Sequence, residues 1–208
     1  DNTYDIIKSI KSEKIKIFKI NNSERGFARN FGAFNARGEY VNFFDSDDIA
    51  KNNHIEVAIE SIKNLKNPEI FHLSYSWIYN DKKNKNVILS DTINSKIFSG
   101  NILSCNGVFI KRNIFDKFKF YEDRDLSGSE DWDLWLRLSL NYKIHSIKQI
   151  TSYIIDHEDR SMKTQSLERV YRRIKIFLSR LKDKDYLKMS YFNFFRVKSE
   201  LYSFLALH

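Results

Sequence analysis

The sequence predicts an α/β fold, with a mainly parallel sheet, flanking helices and a helical extension at the C-terminal end. Three observations carry this reading. A strand, a helix and a second strand succeed one another between residues 15 and 44, the spacing of a crossover that joins parallel neighbours. The second strand runs into three carboxylates within four positions, Asp45-Ser46-Asp47-Asp48, and in parallel sheets ligands gather beyond the carboxyl ends of the strands. From residue 167 onward, apolar residues recur at spacings of three and four, as on the buried stripe of a helix.

The elements follow in order. Ile15, Ile17 and Ile20 with Phe18 alternate against Lys16 and Lys19, which predicts a strand closed by the turn or capping residues Asn21, Asn22 and Ser23. Phe27, Ala28, Phe31, Gly32, Phe34 and Asn35 recur at helical spacing within 24–37, and Gly38 is placed to end that helix. Residues 40–44 form the next strand. A helix over 53–65 buries Ile55, Ala58, Ile59, Ile62 and Leu65 and stops at Pro68. The β-branched and aromatic run 70–79 pairs as a hairpin with Val87-Ile88-Leu89 across the polar turn 81–86. A short strand at 107–110, a short helix at 113–118 and a stronger helix at 130–141 follow. The tail holds two helices, one striped by Leu167, Val170, Tyr171, Ile174, Phe177, Leu178 and Leu181, the other by Tyr191, Phe194, Phe195, Leu201, Phe204 and Leu205.

The 208 residues suffice for one ordinary domain with an appendage, here 1–162 and 163–208. No stretch approaches the ~20 apolar residues of a membrane span. The lone Cys105 rules out an intrachain disulfide and suits a reducing, cytoplasmic setting. The net charge of +8 is concentrated in 163–208, where eleven Lys or Arg face four Asp or Glu. Such a tail is either a solvated cap on the domain or a peripheral contact with an anionic surface, here the inner face of the cell membrane. No nucleic-acid-binding module accompanies the charge, so no nucleic acid is expected.

Four clusters could carry chemistry. In Asp45-Ser46-Asp47-Asp48, Asp45 and Asp47 converge if the strand alternation persists, an oxygen set suited to magnesium or manganese; the alternative is an acidic cap on the next helix. Arg29 and Asn30, within Gly26-Phe27-Ala28-Arg29-Asn30, could meet an anion or simply face solvent. Ser127 and Glu130 have capping-box spacing, yet a cap does not explain why Glu130 and Asp131 adjoin Trp132; a carboxylate there could serve as a general base beside a sugar-stacking indole. His157, in His157-Glu158-Asp159-Arg160-Ser161 after an apolar run, is either structural or a further metal contact.

In this order the clusters resemble the family 2 glycosyltransferases of the GT-A fold, whose sheet is Rossmann-like. The matching residues are Gly26 to Asn30, Gly38-Glu39-Tyr40-Val41-Asn42-Phe43-Phe44-Asp45-Ser46-Asp47-Asp48, Glu130-Asp131-Trp132-Asp133-Leu134-Trp135-Leu136-Arg137-Leu138, and the late His157 to Ser161. The resemblance spans about residues 1–162. It implies a metal-dependent inverting transfer of a sugar from a UDP- or GDP-sugar to a hydroxyl of a glycan or lipid-linked acceptor, in bacterial surface polysaccharide or lipopolysaccharide synthesis. On that resemblance Asp131 is the catalytic base, and Arg29, Asn30, Asp45 and Asp47 hold the nucleotide-sugar. Glu130 and Trp132 shape the acceptor side, and Asp47, Asp45 and His157 hold Mn2+ or Mg2+. Asp1-Asn2-Thr3 resembles the residues that follow the family's second strand, so the expectation is a chain without the first strand-helix-strand unit. The competing expectation is a non-catalytic remnant that binds a partner or membrane through 163–208.

Overall fold

A computed structural model of the chain describes residues 2–10, 12–21, 23–79, 83–157 and 165–207. After a short helix α1 (Thr3–Ser9), α2 (Arg25–Asn35) leads into β1 (Tyr40–Asn42), β2 (Ile49–Ala50), α3 (His54–Asn64) and β3 (Ile70–Tyr79). The hairpin strand β4 (Lys83–Val87), α4 (Ile93–Lys96), β5 (Val108–Lys111) and α5 (Arg112–Phe118) follow. Then come α6 (Glu130–Ser139), the long β6 (Ile144–Asp156), α7 (Leu167–Arg180) and α8 (Tyr191–Ala206).

The α/β expectation holds, but the sheet is mixed rather than mainly parallel. Its order is β1-β5-β3-β6-β2, with β4 beside β3. Only β3 and β6 run parallel among the described strands; β1/β5, β5/β3, β3/β4 and β6/β2 are antiparallel. Apolar periodicity tells that a strand exists and not which neighbour it takes, and β5 inserts between β1 and β3 in the opposite direction.

The expected strand at 15–20 forms no ladder among the described residues. Ile15 and Phe18 are exposed, and the segment instead leans on α2, where Phe18 meets Phe31 edge to face at 5.4 Å. Glu24, not the preceding Asn and Ser residues, caps α2: its carboxylate accepts from the backbone N–H of Gly26 at 2.7 Å and of Phe27. Gly26 is needed for a close approach, since a Cβ there would lie 2.6 Å from the carbonyl oxygen of Tyr121.

In α3 the buried side is His54, Val57, Ala58 and Ser61, while Ile55 and Ile59 are exposed. The polar residues of that side, His54 and Ser61, each make one internal side-chain hydrogen bond. His54 Nδ1 lies 2.9 Å from Thr151 Oγ1, and Ser61 Oγ donates to the carbonyl of Val57. The helix closes through Lys66 and Asn67, both at positive φ, before Pro68. A hairpin forms, but its second strand is Lys83–Val87, largely within the expected turn, and Ile88 and Leu89 lie beyond it; the first turn residues expected, Asp81 and Lys82, lie outside the described residues.

The tail helices share the main core. Val170, Ile174 and Phe177 of α7, Val197 and Leu201 of α8, and Trp132, Trp135 and Leu136 of α6 belong to one buried apolar cluster. A polar joint reinforces it. Asp133 is fully buried and accepts from Arg137 Nη2 at 2.7 Å, Arg180 Nε at 2.6 Å and the Tyr186 hydroxyl at 2.8 Å. Two guanidinium groups and a phenol thus compensate one carboxylate that burial would otherwise penalise heavily. No described helix is long and apolar enough to cross a membrane.

Candidate active site

Three elements converge at the ends of the strands. The first is α2, which presents Arg29. Its guanidinium donates to Asp45 Oδ1 at 2.8 Å and Oδ2 at 3.2 Å, and to Glu130 Oε1 at 3.0 Å. It lies over the Phe120 ring, 5.3 Å from the centroid. Two carboxylates from distant parts of the chain are thereby held on one largely buried cation.

The second is the loop between β1 and β2. It folds back on itself, with the Asp48 N–H donating to the Asp45 carbonyl at 3.2 Å. Asp48 is pinned on both oxygens, by Asn106 Nδ2 at 3.2 Å and by the backbone N–H of Ile155 at 3.3 Å. His157, just past β6, approaches Asp47 with Nε2 3.3 Å from Oδ2. One oxygen from each of Asp45, Asp47 and Asp48 lies within 4.8 Å of the others. Three hard anionic oxygens this close repel one another unless a cation joins them, and they fit Mg2+ or Mn2+ better than a softer ion.

The third is the start of α6. Ser127 does not cap it; Ser129 occupies the cap position without a side-chain bond, and Glu130 Oε2 instead accepts from the Gly128 N–H at 2.5 Å. Glu130 is buried and also lies 3.5 Å from Arg25 Nε. Asp131 accepts from Asn101 Nδ2 at 2.9 Å and from the Trp132 N–H at 2.8 Å. Burial, followed by the charge of Glu130, pushes the Asp131 carboxyl up to about 6, against the opposing pull of Arg29 and the two hydrogen bonds.

Arg29, Asp45, Glu130 and Asp131 line one cavity of about 190 Å³, joined there by Arg25, Asp48, Tyr75, Trp77 and Asn101. Asp47 and His157 form a half-exposed pair in the same acidic loop region. Two expected contacts lie elsewhere. Asn30 spends both ends of its amide on Phe120, donating to the carbonyl at 2.9 Å and accepting from the N–H at 2.9 Å, and it also reaches Glu122. The Trp132 indole is buried, donates to the Ile97 carbonyl at 2.9 Å and packs against Phe177. The other residues of the late motif, Glu158 to Ser161, lie outside the described residues. Asp48 and Asn101 were not singled out from the sequence. Asp48 was visible in the acidic run, whereas Asn101 sits in a stretch without periodicity and carried no signal.

A mixed α/β sheet that gathers an acidic loop and an acid-bearing helix start at its strand ends is the arrangement that a GT-A-like fold implies. The chain belongs to glycosyl transferase family 2, whose model matches residues 1–117. Among curated relatives it is 27% identical over 180 residues to an uncharacterized glycosyltransferase of Methanocaldococcus jannaschii, a match covering 80% of this chain and 60% of that protein. It is 29% identical over 154 residues to one of Rickettsia conorii, covering 69% of this chain and 24% of that protein. The chain therefore spans 60% of the length of the first of these relatives and 24% of the second. The crystal structure of S. aureus TarS 1-349 in complex with UDP-GlcNAc shares the fold, with a TM-score of 0.66 and 17% identity over 100% of this chain and 59% of that one.

Proposed function

We propose that the chain carries the chemical site of a metal-dependent, inverting glycosyltransferase that moves a sugar from a nucleotide-sugar to an acceptor hydroxyl. The observation that carries this reading is one cavity in which a carboxylate of raised proton affinity, Asp131, faces the acidic loop through Arg29. Asp45, Asp47 and His157, with Asp48 added by the structure, would hold Mn2+ or Mg2+. A divalent cation there would neutralise the diphosphate of the donor as it departs.

The residues of the chain do the rest. Asp131 accepts the proton of the acceptor hydroxyl as its oxygen forms a bond to the anomeric carbon and the bond to the diphosphate breaks on the opposite face. Asn101 holds that carboxylate in place. Arg29 fixes the spacing of Asp45 and Glu130, and Glu130 with Arg25 walls the acceptor side. Asn30 and Trp132 act at one remove, Asn30 by pinning the Phe120 backbone and Trp132 by packing the start of α6. The co-structures of TarS with UDP-GlcNAc and UDP favour a UDP-sugar as the donor to try first, and surface-glycan synthesis is the setting that the family suggests.

The test is calorimetric titration of UDP and GDP with and without Mn2+, followed by donor hydrolysis. Metal-dependent binding of one of them is expected, and binding indifferent to metal would defeat the reading. A second reading, peripheral contact with an anionic membrane, is supported by Tyr191, Phe192 and Phe195, which stand exposed on the basic tail. Flotation with phosphatidylglycerol vesicles should carry the chain if it holds, and no flotation refutes it.

A further inference from the structure

A second cleft, of about 470 Å³, lies beside the cavity just described. Among the described residues its lining includes Arg25, Arg124, Arg169 and Arg172 with two acids, Glu24 and Asp125. Glu24 is already engaged in capping α2. Arg25 is shared between the two spaces, and the segment that supplies Arg124, Asp125 and Ser127 to the cleft continues into Gly128, Glu130 and Asp131 of the cavity. Whatever fills the cleft is therefore next to the proposed base.

The arrangement is unfavourable without an anion. Arg169 stands in the first turn of α7, where the helix dipole disfavours a cation, and Arg172 and Arg173 follow it at like-charge spacings of three and four. Arg172 is paired with Glu168 at 2.8 Å and Arg25 faces Glu130. Arg124 and Arg169 have no side-chain hydrogen bond or ion pair among the described residues. Ser23 Oγ, in the same lining, is buried and equally unpartnered there. Forked guanidinium donors with a free hydroxyl match phosphate oxygens, two of them more readily than one.

We propose that this cleft binds closely spaced phosphates of the acceptor, so that the enzyme glycosylates a hydroxyl on a phosphodiester- or pyrophosphate-bearing molecule. The assignment of the phosphates to an acceptor rests on the function proposed above; the anion site itself does not. The experiment uses the full chain and sodium tripolyphosphate in metal-free buffer, by calorimetry. One saturable site is expected, weakening as salt rises. Arg124→Gln with Arg169→Gln, both exposed positions, should lower that affinity by about tenfold or more, while Mn2+-dependent UDP binding and the melting temperature stay unchanged.

Equal tripolyphosphate binding by the two proteins, or none by either, overturns the cleft. Tripolyphosphate binding without metal-dependent nucleotide binding defeats the donor reading and leaves the anion site standing. Phosphatidylglycerol vesicles form a separate arm. Flotation that depends on Arg124 and Arg169, with no tripolyphosphate binding, would assign the cleft to a membrane surface and overturn the acceptor proposal.

Discussion

Replacing Asp131 by Asn should slow the enzyme and stabilise the fold at once, and the size of the second effect follows from the site. Folding raises the Asp131 carboxyl from its ordinary 3.8 to about 6. The folded state thus holds this proton more tightly than the unfolded state, and stability falls as pH rises from about 4 to about 6. A rise of that size puts the deficit at about 3 kcal/mol at pH 7.5. Asn has no charge to desolvate but offers one oxygen where Asp131 accepts two bonds, from Asn101 and from the Trp132 N–H. Losing one of them costs about 1 kcal/mol. The net gain is about 2 kcal/mol, or roughly 4–8 °C in melting temperature for a chain of this size.

Differential scanning calorimetry at pH 7.5 and pH 4 reads this directly. At pH 4 the carboxyl is protonated in the folded state, so the gain should vanish and the lost hydrogen bond should leave the variant slightly less stable. Turnover at pH 7.5 should fall by about 10²–10⁴-fold, and the wild-type rate should rise through an apparent pKa near 6 as the base ionises. A variant destabilised equally at both pH values would refute the electrostatic account. Full turnover in the variant would refute the role of Asp131 as base.

Asp47→Ala should abolish Mn2+-dependent UDP binding in calorimetry, as should excess chelator. Its exposed side chain should leave the metal-free melting temperature within about 0.5 kcal/mol of wild type. Asp133→Ala strands Arg137 and Arg180 in the core and should cost about 3–5 kcal/mol in urea denaturation. Gly107→Ala should lower the urea midpoint by the equivalent of about 1–3 kcal/mol, because its Cβ would fall 2.5 Å from the Leu73 carbonyl oxygen and 2.6 Å from His72 Nε2. Wild-type stability in that last variant would mean that the close approach relaxes without strain.

What the sequence made legible is what local physics determines. β3 occupies the 70–79 run that its β-branched and aromatic residues marked, and α6 begins at Glu130 where the acids lie. β6 was visible only near its end, at Tyr153, Ile154 and Ile155. Its earlier half carries Ser146, Lys148 and Gln149 and shows no alternation, since its partner β3 and not its own period sets its path. The segment at 15–20 erred the other way. It alternates without any ladder to join among the described residues, and Phe18 finds α2 instead. Asp133 stands in the first turn of α6 beside two other acids, and no local pattern reports that Arg180, 47 positions later, closes on it in the core.

The same division runs through the site. Residue types announced that acids would gather, but roles depend on which cation reaches which carboxylate. Arg29 and Asn30 are neighbours with equal claims to a ligand on sequence grounds; the roughly 100° between adjacent helix positions sends Arg29 to Asp45 and Glu130 and spends Asn30 on the Phe120 backbone. That choice has a chemical consequence. Placed there, the Arg29 charge pulls against the rise that burial and the charge of Glu130 produce in the Asp131 carboxyl. Removing the Arg29 charge, as in Arg29→Met, would release that opposing pull and push the Asp131 carboxyl higher still. The pH–rate profile should then move to higher pH while the maximum falls, a displacement that a purely structural role for Arg29 would not produce.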